Sequence, residues 1–500
     1  MPAPTSERPT GRLLLLVELM PHEPERQFRA AAYPLLMGLA RALGWRASWA
    51  ALGVRYDPTL RYRLEPGDLA LLRAHLLRRR PGIVFINEYL VAEQWAALAA
   101  LVPGRRLVYW PVDGTFEDFA PAFRRAVPEA RGPLLDDPRL LDRLRPHFRR
   151  QVLNRAPWAY APLIRVIAGT ICEYRTPVSA NPLYRGLRLS HRMMGCAFCN
   201  AAPLRKPAQD VVAFAARQVA AACGQLPARA ERRFELRCQG LWRRLEEFIR
   251  ELVRLKARRA ELIFSPRIDE LLATRAGLRR CLPLLAANGL AVRIYGMGVE
   301  NFSAAENLRL NKGITARQVH EAAAFIAATA AAWPEQFRCE RGRLSMILFT
   351  PWTTLRDLRL NGAHIARCPL INSCGVLDQR LQLFKDRPIT QLAKRDGLVV
   401  ERRGAFYNSG CIIDAGQHEV PWRFKHPEVG LLWALAQRLS AAGQGQEPRD
   451  ELDRKAAELL ERHPLDSPPD PLPAFRRAVL LMLRRPRPRT LEDLVEAMRR

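Results

Sequence analysis

The stretch that decides the fold prediction is a loop with two closely spaced thiols, and it reads Ser190-His191-Arg192-Met193-Met194-Gly195-Cys196-Ala197-Phe198-Cys199-Asn200. Cys196 and Cys199 stand three positions apart, after a strand-like run from Leu187 to Ser190. Two thiols at this spacing reach one soft metal ion or one iron–sulfur cluster. The same spacing suits zinc, a thioredoxin-type redox pair or two unrelated core cysteines. The loop by itself therefore leaves its chemistry open.

The composition is that of a globular protein with a strong positive charge. Of 500 residues, 48% are hydrophobic, and 79 Lys and Arg against 50 Asp and Glu give a formal charge of +29. That charge would suit a polyanion, but along 243–259 the basic residues alternate with glutamates, as on a solvated helix face. We therefore expect a small-molecule substrate or a partner protein, and nucleic acid is not favoured. With no apolar run long enough to cross a membrane and no targeting signal, we expect a cytoplasmic protein with reduced cysteines.

Residues 11–130 alternate apolar strands with amphipathic helices. The sequence predicts strands at 13–19, 47–54, 83–87 and 107–110, and helices at 28–43, 69–77 and 92–101. Continuous apolar strands separated by helices are typical of a parallel sheet covered on both faces. Because the first strand leads into Met20-Pro21-His22-Glu23-Pro24 and not into a glycine-rich turn, a dinucleotide site is not expected. We predict an α/β, Rossmann-like domain over 1–130.

A second α/β region is predicted after a connector at 131–180. Strands are expected at 187–190, 234–238, 260–265 and 291–297, and again near 344 and 381, with helices between them. This alternation predicts a partial (β/α) TIM-type barrel over 181–440, in which functional residues lie at the C-terminal ends of the strands. Residues 441–500 are predicted to form a helical tail.

A second motif lies at one of these strand ends. It reads Tyr295-Gly296-Met297-Gly298-Val299-Glu300-Asn301-Phe302-Ser303, followed by Leu308-Arg309-Leu310-Asn311-Lys312-Gly313-Ile314-Thr315. The glycines let the backbone approach a cofactor, and the carboxylate of Glu300 is able to accept hydrogen bonds from ribose hydroxyls or an amino group. Asn311 and Gly313 are expected to adopt left-handed turns.

Together the two motifs resemble the radical S-adenosylmethionine superfamily, and the N-terminal domain resembles that of its B12-binding branch. The resemblance implies a 4Fe-4S cluster on Cys196 and Cys199, S-adenosylmethionine, and cobalamin as a candidate third cofactor. It places the cofactor-binding residues at Gly296, Gly298, Glu300 and Ser303. Catalytic residues are not assigned.

The resemblance has one departure, at the first cysteine of the cluster loop. Four residues before Cys196 the chain has Arg192, which presents only hydrogen-bond donors and cannot ligate iron. His191 and Cys172 are the candidates for a third ligand. Isolated positions elsewhere, including His320 and His364 on predicted helices, are not expected to form a site.

Three functional hypotheses remain open from the sequence. An active radical S-adenosylmethionine-type transferase would catalyse methyl transfer or rearrangement on a secondary metabolite, a lipid or RNA. A degenerate member would keep the fold without catalysis and act as a scaffold or partner subunit. A basic RNA-binding or RNA-modifying protein is the remaining alternative.

Overall fold

The computed structural model describes residues 13–21, 32–42, 44–54, 63–86, 90–102, 106–109, 144–148, 151–154, 163–166, 172, 174–189, 193–199, 210–226, 232–236, 238–377, 379–400, 420–441, 451–462, 470–484 and 487–500. His191, Arg192 and Cys411 lie outside these residues.

The first sheet has five parallel strands in the order β4-β3-β1-β2-β5. Its strands are β1 (Leu13–Pro21), β2 (Arg46–Val54), β3 (Ile83–Ile86), β4 (Leu107–Tyr109) and β5 (Gln151–Val152). The helices between them are α1 (Ala32–Ala42), α2 (Pro66–Arg79) and α3 (Ala92–Ala99). The order 2-1-3-4 is that of a flavodoxin-like, doubly wound sheet. This confirms the Rossmann-like prediction.

Burial explains why the apolar runs form this sheet. Four consecutive β1 residues, Leu14 to Val17, have no exposed surface, as expected for a central parallel strand. On one face, Leu15 and Val17 belong to a core that includes Leu72 of α2 and Leu98 of α3.

A second group of strands has the order β9-β8-β7-β6, in which β6, β7 and β8 are parallel. The strands are β6 (Leu163–Val166), β7 (Arg233–Leu236), β8 (Ala260–Phe264) and β9 (Leu290–Ile294), with helices α4 (Val211–Gln225), α5 (Gln239–Arg243), α6 (Leu245–Arg254) and α7 (Ile268–Asn288). Helix α6 buries its leucine and phenylalanine side chains, and its three glutamates pair with arginines. It is the solvated amphipathic helix that the sequence predicts.

The following part of the chain positions the candidate site. It contains β10 (Met297–Glu300), α8 (Ala304–Arg309), α9 (Ala316–Ala332), β11 (Phe337–Cys339), β12 (Leu344–Met346), α10 (Leu355–Ile365), α11 (Ser373–Val376) and α12 (Pro388–Arg395). Strand β10 pairs in parallel with β12, with Met297 opposite Leu344. Capping boxes begin α9 at Thr315 and α10 at Thr354.

In the described part of the chain, four helices lie at the C-terminal end, and three of them fall within the predicted helical tail at 441–500. They are α13 (Pro427–Ala441), α14 (Glu451–Arg462), α15 (Leu472–Leu483) and α16 (Leu491–Arg499). Among the described residues, no helix is long and apolar enough to span a membrane.

The chain forms two compact units, each made of segments that are separate in the sequence. The first comprises Met1–Thr170, Arg205–Phe264 and Gly277–Arg293, and the second comprises Ile171–Leu204, Ser265–Ala276 and Ile294–Arg500. The domain boundaries proposed from the sequence remain predictions. Every site residue discussed below belongs to the second unit.

Two strand predictions were wrong. Residues 187–189 form no strand and follow two short 3-10 turns, at Val178–Ala180 and Pro182–Tyr184. Near 381 there is only an isolated bridge between Phe349 and Arg380. Conversely, β6 lies inside the segment predicted as a connector. Among the described residues, the last strand before the thiol loop is therefore β6.

Candidate metal and cofactor site

The thiol loop is held by backbone hydrogen bonds to three distant segments. Gly195 N donates to Thr176 O at 2.9 Å, and Ala197 N donates to Leu310 O at 2.9 Å. The carbonyl of Ala197 in turn accepts from Ile389 N, at the start of α12, at 3.2 Å. These bonds fix the path of residues 193–199 even though the loop has no regular secondary structure.

The Asn-Lys-Gly turn of the second motif supports the same loop. Asn311 has a positive φ of 50°, and its side-chain nitrogen donates to Gly195 O at 2.7 Å. Gly313 has φ of 70°, and a Cβ at that position would lie 2.5 Å from the hydroxyl of Tyr174. The prediction of left-handed turns at Asn311 and Gly313 is confirmed. One turn thereby joins the second motif to the thiol loop.

Arg267 is the main site residue that the sequence analysis missed. Its guanidinium lies 3.8 Å from the ring centre of Tyr174, and Nη1 lies 3.7 Å from Cys196 Sγ. Nη2 donates to Lys312 O at 2.8 Å, and Nε donates to Asp269 at 2.9 Å. The residue is 5% exposed. A signal was available, because Arg267 comes three positions after the end of β8, where functional residues of such folds are found.

Two thiols lie in the electrostatic surroundings of this guanidinium. Burial raises the pKa of Cys196 to about 11, and the charges of Lys312 and Arg267 oppose that rise. Burial also raises the pKa of Cys172, whose thiol is within the electrostatic range of both Arg267 and Cys199. Cys172 and Cys196 therefore share the charge of Arg267, and each also interacts electrostatically with Cys199.

The described residues contain no group of three His, Cys, Asp or Glu side chains placed to hold one metal ion. His191 lies outside the described residues, so the structure gives no account of it as a ligand.

Glu300, the predicted acceptor for a cofactor, is engaged by the chain itself. Lys312 Nζ donates to Glu300 Oε1 at 2.7 Å, and the two residues are 6% and 8% exposed. Glu300 has a positive φ of 59°, which is uncommon for a residue with a side chain. A Cβ at Gly298 would collide with Glu300 Oε1 and lie 2.8 Å from Lys312 Nζ. The ion pair of Glu300 and Lys312 therefore packs against the backbone of Gly298.

Gly296 and Ser303, the other two predicted cofactor-binding residues, differ in how accessible they are. A Cβ at Gly296 would have Arg343 O as its nearest neighbour, at 3.9 Å, so one face of this residue is open. Ser303 is buried, caps the N-terminus of α8, and donates its hydroxyl to Asp357 at 2.6 Å. Cofactor binding by Gly296, Gly298, Glu300 and Ser303 stays a prediction.

A buried asparagine network sets the shape of the segment after β10. Asn301 has no exposed surface; its Oδ1 accepts from Ser303 N and from Asn361 Nδ2, each at 2.9 Å. Its Nδ2 donates to Ile347 O at 3.0 Å. Because Asn301, Ser303 and Asn361 are buried, replacing any one of them leaves its partners unsatisfied.

His320 and His364 are not isolated, contrary to the sequence-based expectation. His320 Nε2 and His364 Nδ1 are 2.8 Å apart, and the ring of Phe302 stacks on both imidazoles. The two residues are 44 positions apart on different helices, so their contact follows from the packing of α9 against α10.

The fold and the site define a mixed α/β protein of parallel sheets, whose second unit gathers thiols around a buried guanidinium and a buried ion pair. No family model matches the chain, and no curated protein matches it. Among solved structures, the chain is similar to the apo, selenomethionine-labelled cobalamin-dependent S-adenosylmethionine radical enzyme OxsB. The match has 12% identity and a TM-score of 0.49, and it covers 94% of this chain and 72% of the other.

Proposed function

We propose that the chain is a radical S-adenosylmethionine-like protein that holds a 4Fe-4S cluster through Cys172, Cys196 and Cys199. Methyl transfer or rearrangement on a secondary metabolite, a lipid or RNA is the reaction class that goes with this proposal. The observation that carries it is the charge that acts on the thiols of Cys172 and Cys196: the guanidinium of Arg267 acts on both, and its Nη1 lies 3.7 Å from Cys196 Sγ.

The order of elements along the chain supports Cys172 as the first ligand. Strand β6 ends at Val166, and Cys172 follows six positions later (172 − 166). Functional residues of a β/α fold lie just after the C-terminal ends of its strands. Arg192, by contrast, comes 26 positions after the strand (192 − 166). On this reading 23 residues separate the first and second ligands in place of the three that the resemblance implies, an insertion of 20 residues (23 − 3) that includes Arg192.

The donor set fits a cubane in kind, because three thiolates would hold such a cluster. Among the described residues no three donors are placed around one metal ion, so binding would require the three thiols to move together. When bound, the cluster would supply the electron that cleaves the sulfonium bond of S-adenosylmethionine. The thiol of Cys196 must first lose its proton, and its raised pKa opposes this. Arg267 and Lys312 supply the positive charge that stabilises the resulting thiolate, and Arg267 Nη1 is already within 3.7 Å of the sulfur.

The contact between Arg267 and Cys196 also favours a second candidate function, in which the protein keeps a radical S-adenosylmethionine-like fold without radical chemistry. Arg267 is fixed by Asp269, Lys312 and Tyr174, so its charge is a permanent part of the site. A site that is already satisfied by its own ion pairs has no need of a ligand for stability. Such a chain would serve as a scaffold or partner subunit.

Cobalamin in the first unit remains a proposal from the resemblance and the 2-1-3-4 strand order. The segments that follow β1 and β3, at 22–31 and 87–89, lie outside the described residues.

Anaerobic reconstitution of matched variants tests the proposal. We expect the wild type to retain about four irons per chain, as a cubane requires, and to cleave S-adenosylmethionine with a strong reductant. Cys172→Ala and Cys196→Ala should each lose most of the iron. Cys339→Ala, a thiol on β11 outside the site, is the control and should retain it. His191→Ala separates the two candidate third ligands, because only one of the two substitutions should remove the cluster.

The Arg192→Cys variant separates the two candidate functions. If Cys172 is the ligand, Arg192→Cys adds no iron to the wild-type chain. If only Arg192→Cys binds iron and cleaves S-adenosylmethionine, the natural chain is a degenerate member. Absence of iron from both proteins would also reject the cluster proposal.

A further inference from the structure

The C-terminal helices border a cavity that lies apart from the thiol loop. The cavity, about 700 Å³ and open to solvent, is lined by described residues of α15, of α16 and of the chain next to them, and its arginines are exposed. This volume is that of a pocket for one small ligand. None of its lining residues belongs to the thiol loop or to the Glu300–Lys312 pair.

The polar side of the cavity is positively charged. Four arginines line it, at positions 477, 484, 487 and 500, against two carboxylates, Asp493 and Glu496. Both carboxylates already have partners. Glu496 pairs with Arg500, and Asp493 accepts from the backbone of Arg489 and Thr490 at 3.0 Å each, as the capping residue of α16.

Two of the guanidiniums are therefore available. Arg487 lies 3.8 Å from Glu428, but within the described part of the chain neither Arg477 nor Arg484 has an ion-pair partner. Guanidinium groups bind phosphate and carboxylate through paired, charge-assisted hydrogen bonds.

The other side of the cavity is apolar. Leu480, Leu481, Pro488 and Ala497 line it, and Leu480 is 48% exposed. An apolar side next to unpaired guanidiniums matches a ligand with an apolar body and an anionic head.

We propose that this cavity binds a small amphiphilic anion, a molecule with a phosphate or carboxylate head and an apolar tail. The head lies against Arg477 and Arg484, and the tail lies against Leu480 and Leu481. A site of this kind would give the chain a ligand whose binding is independent of the cluster and of S-adenosylmethionine.

The test measures binding of decyl phosphate to the full chain by calorimetry, below its micelle concentration and at about 0.15 M salt. We expect one site per chain, with decanol and inorganic phosphate each bound at least about tenfold more weakly than decyl phosphate. Arg477→Ala/Arg484→Ala should weaken decyl phosphate by at least about tenfold. Leu480→Gln should bring its affinity toward that of inorganic phosphate.

A charge-matched control excludes a general effect of net charge. Arg317→Ala/Arg356→Ala removes two exposed arginines from the first turns of α9 and α10 and should leave binding within about twofold. Equal loss in both double variants would overturn the proposal. Equal affinity for inorganic phosphate and decyl phosphate would overturn the ligand class. The ligand class would also be overturned if an RNA oligonucleotide or phosphatidic acid vesicles bound through Arg477 and Arg484 while decyl phosphate did not bind.

Discussion

Replacing Glu300 by glutamine is the sharpest test of how the site is held together. The substitution keeps the shape of the side chain and removes the charge that pairs with Lys312 at 2.7 Å. Burial alone would lower the pKa of Lys312, but the charges of Glu300 and Cys196 outweigh it and raise that pKa. Without Glu300, a buried ammonium is left with a neutral partner.

Removing one partner of a buried ion pair costs about 3–5 kcal/mol, because the remaining charge stays desolvated. We therefore expect Glu300→Gln to lower the free energy of unfolding of the second unit by about that amount. The double variant Glu300→Gln/Lys312→Met removes both charges, and it should recover most of the loss.

The pH dependence has a definite sign. In the wild type the folded-state pKa of Lys312 is raised, so its contribution to stability is present below the unfolded value of about 10.5 and is lost as the pH rises through the folded pKa. In Glu300→Gln the penalty disappears when Lys312 loses its proton. Without Glu300, burial lowers the folded-state pKa of Lys312, so the difference in stability between the two proteins should begin to shrink below the unfolded value of about 10.5 and should shrink further as the pH rises through the raised folded-state pKa of the wild type.

Urea unfolding, followed by circular dichroism and tryptophan fluorescence, measures these differences. Glu335→Gln is the control, because it breaks an exposed pair with Arg338 and should change stability by less than about 1 kcal/mol. If Glu300→Gln unfolds within about 1 kcal/mol of the wild type, the pair does not hold the site and the reasoning fails.

Three further predictions follow from single residues. Burial raises the pKa of Cys196 to about 11 against an ordinary 9.0, so at about pH 8 this thiol should react with iodoacetamide roughly a hundredfold more slowly than in the urea-unfolded chain. Peptide mass spectrometry measures the two rates, and equal rates would contradict the burial of Cys196. Gly313→Ala should cost more than about 1 kcal/mol through its positive φ and its clash with Tyr174, and Tyr174→Phe should relieve part of that cost; an unchanged melting temperature would refute this. Burial, His320 and a nearby arginine lower the pKa of His364, so its contribution to stability is present above about pH 6.5 and is lost as the pH falls. The melting temperature of His364→Gln should lack this pH dependence, and a pH profile identical to that of the wild type would show that His364 does not cause it.

The sequence predicts strands β1 to β4 of the first sheet because each is an uninterrupted apolar run or nearly so. Strand β6 escaped prediction for a physical reason. It is as long as β3, but Arg165 in its middle is typical of a loop or helix surface. In the structure Arg165 is buried and pairs with Glu235 of β7 at 2.6 Å, a partner 70 positions away. A strand whose charge is neutralised by its neighbour is recognised only when the neighbour is known.

Only part of the site could be predicted, because some of its contacts join segments that are distant in the sequence. Local spacing identified Cys196 and Cys199, and local turn chemistry identified Asn311 and Gly313. The role of Arg267 and the partner of Glu300 depend on contacts between segments distant in the sequence, which no window of sequence contains. The error at 187–190 had the opposite origin, since an alternating apolar run there was read as a strand.

The backbone bonds of Ala197 have a consequence for the order of events during synthesis. Its carbonyl accepts from Ile389, which is made 192 residues later (389 − 197). At a ribosomal rate of about 5–20 residues per second, that partner arrives roughly 10–40 s after the cysteines themselves. During this interval the thiols are translated but not yet held in their final positions. Under the cluster proposal, iron that arrives before the chain has passed residue 389 would meet thiols that lack this bond, and the nascent protein would need another molecule to shield its cysteines until then.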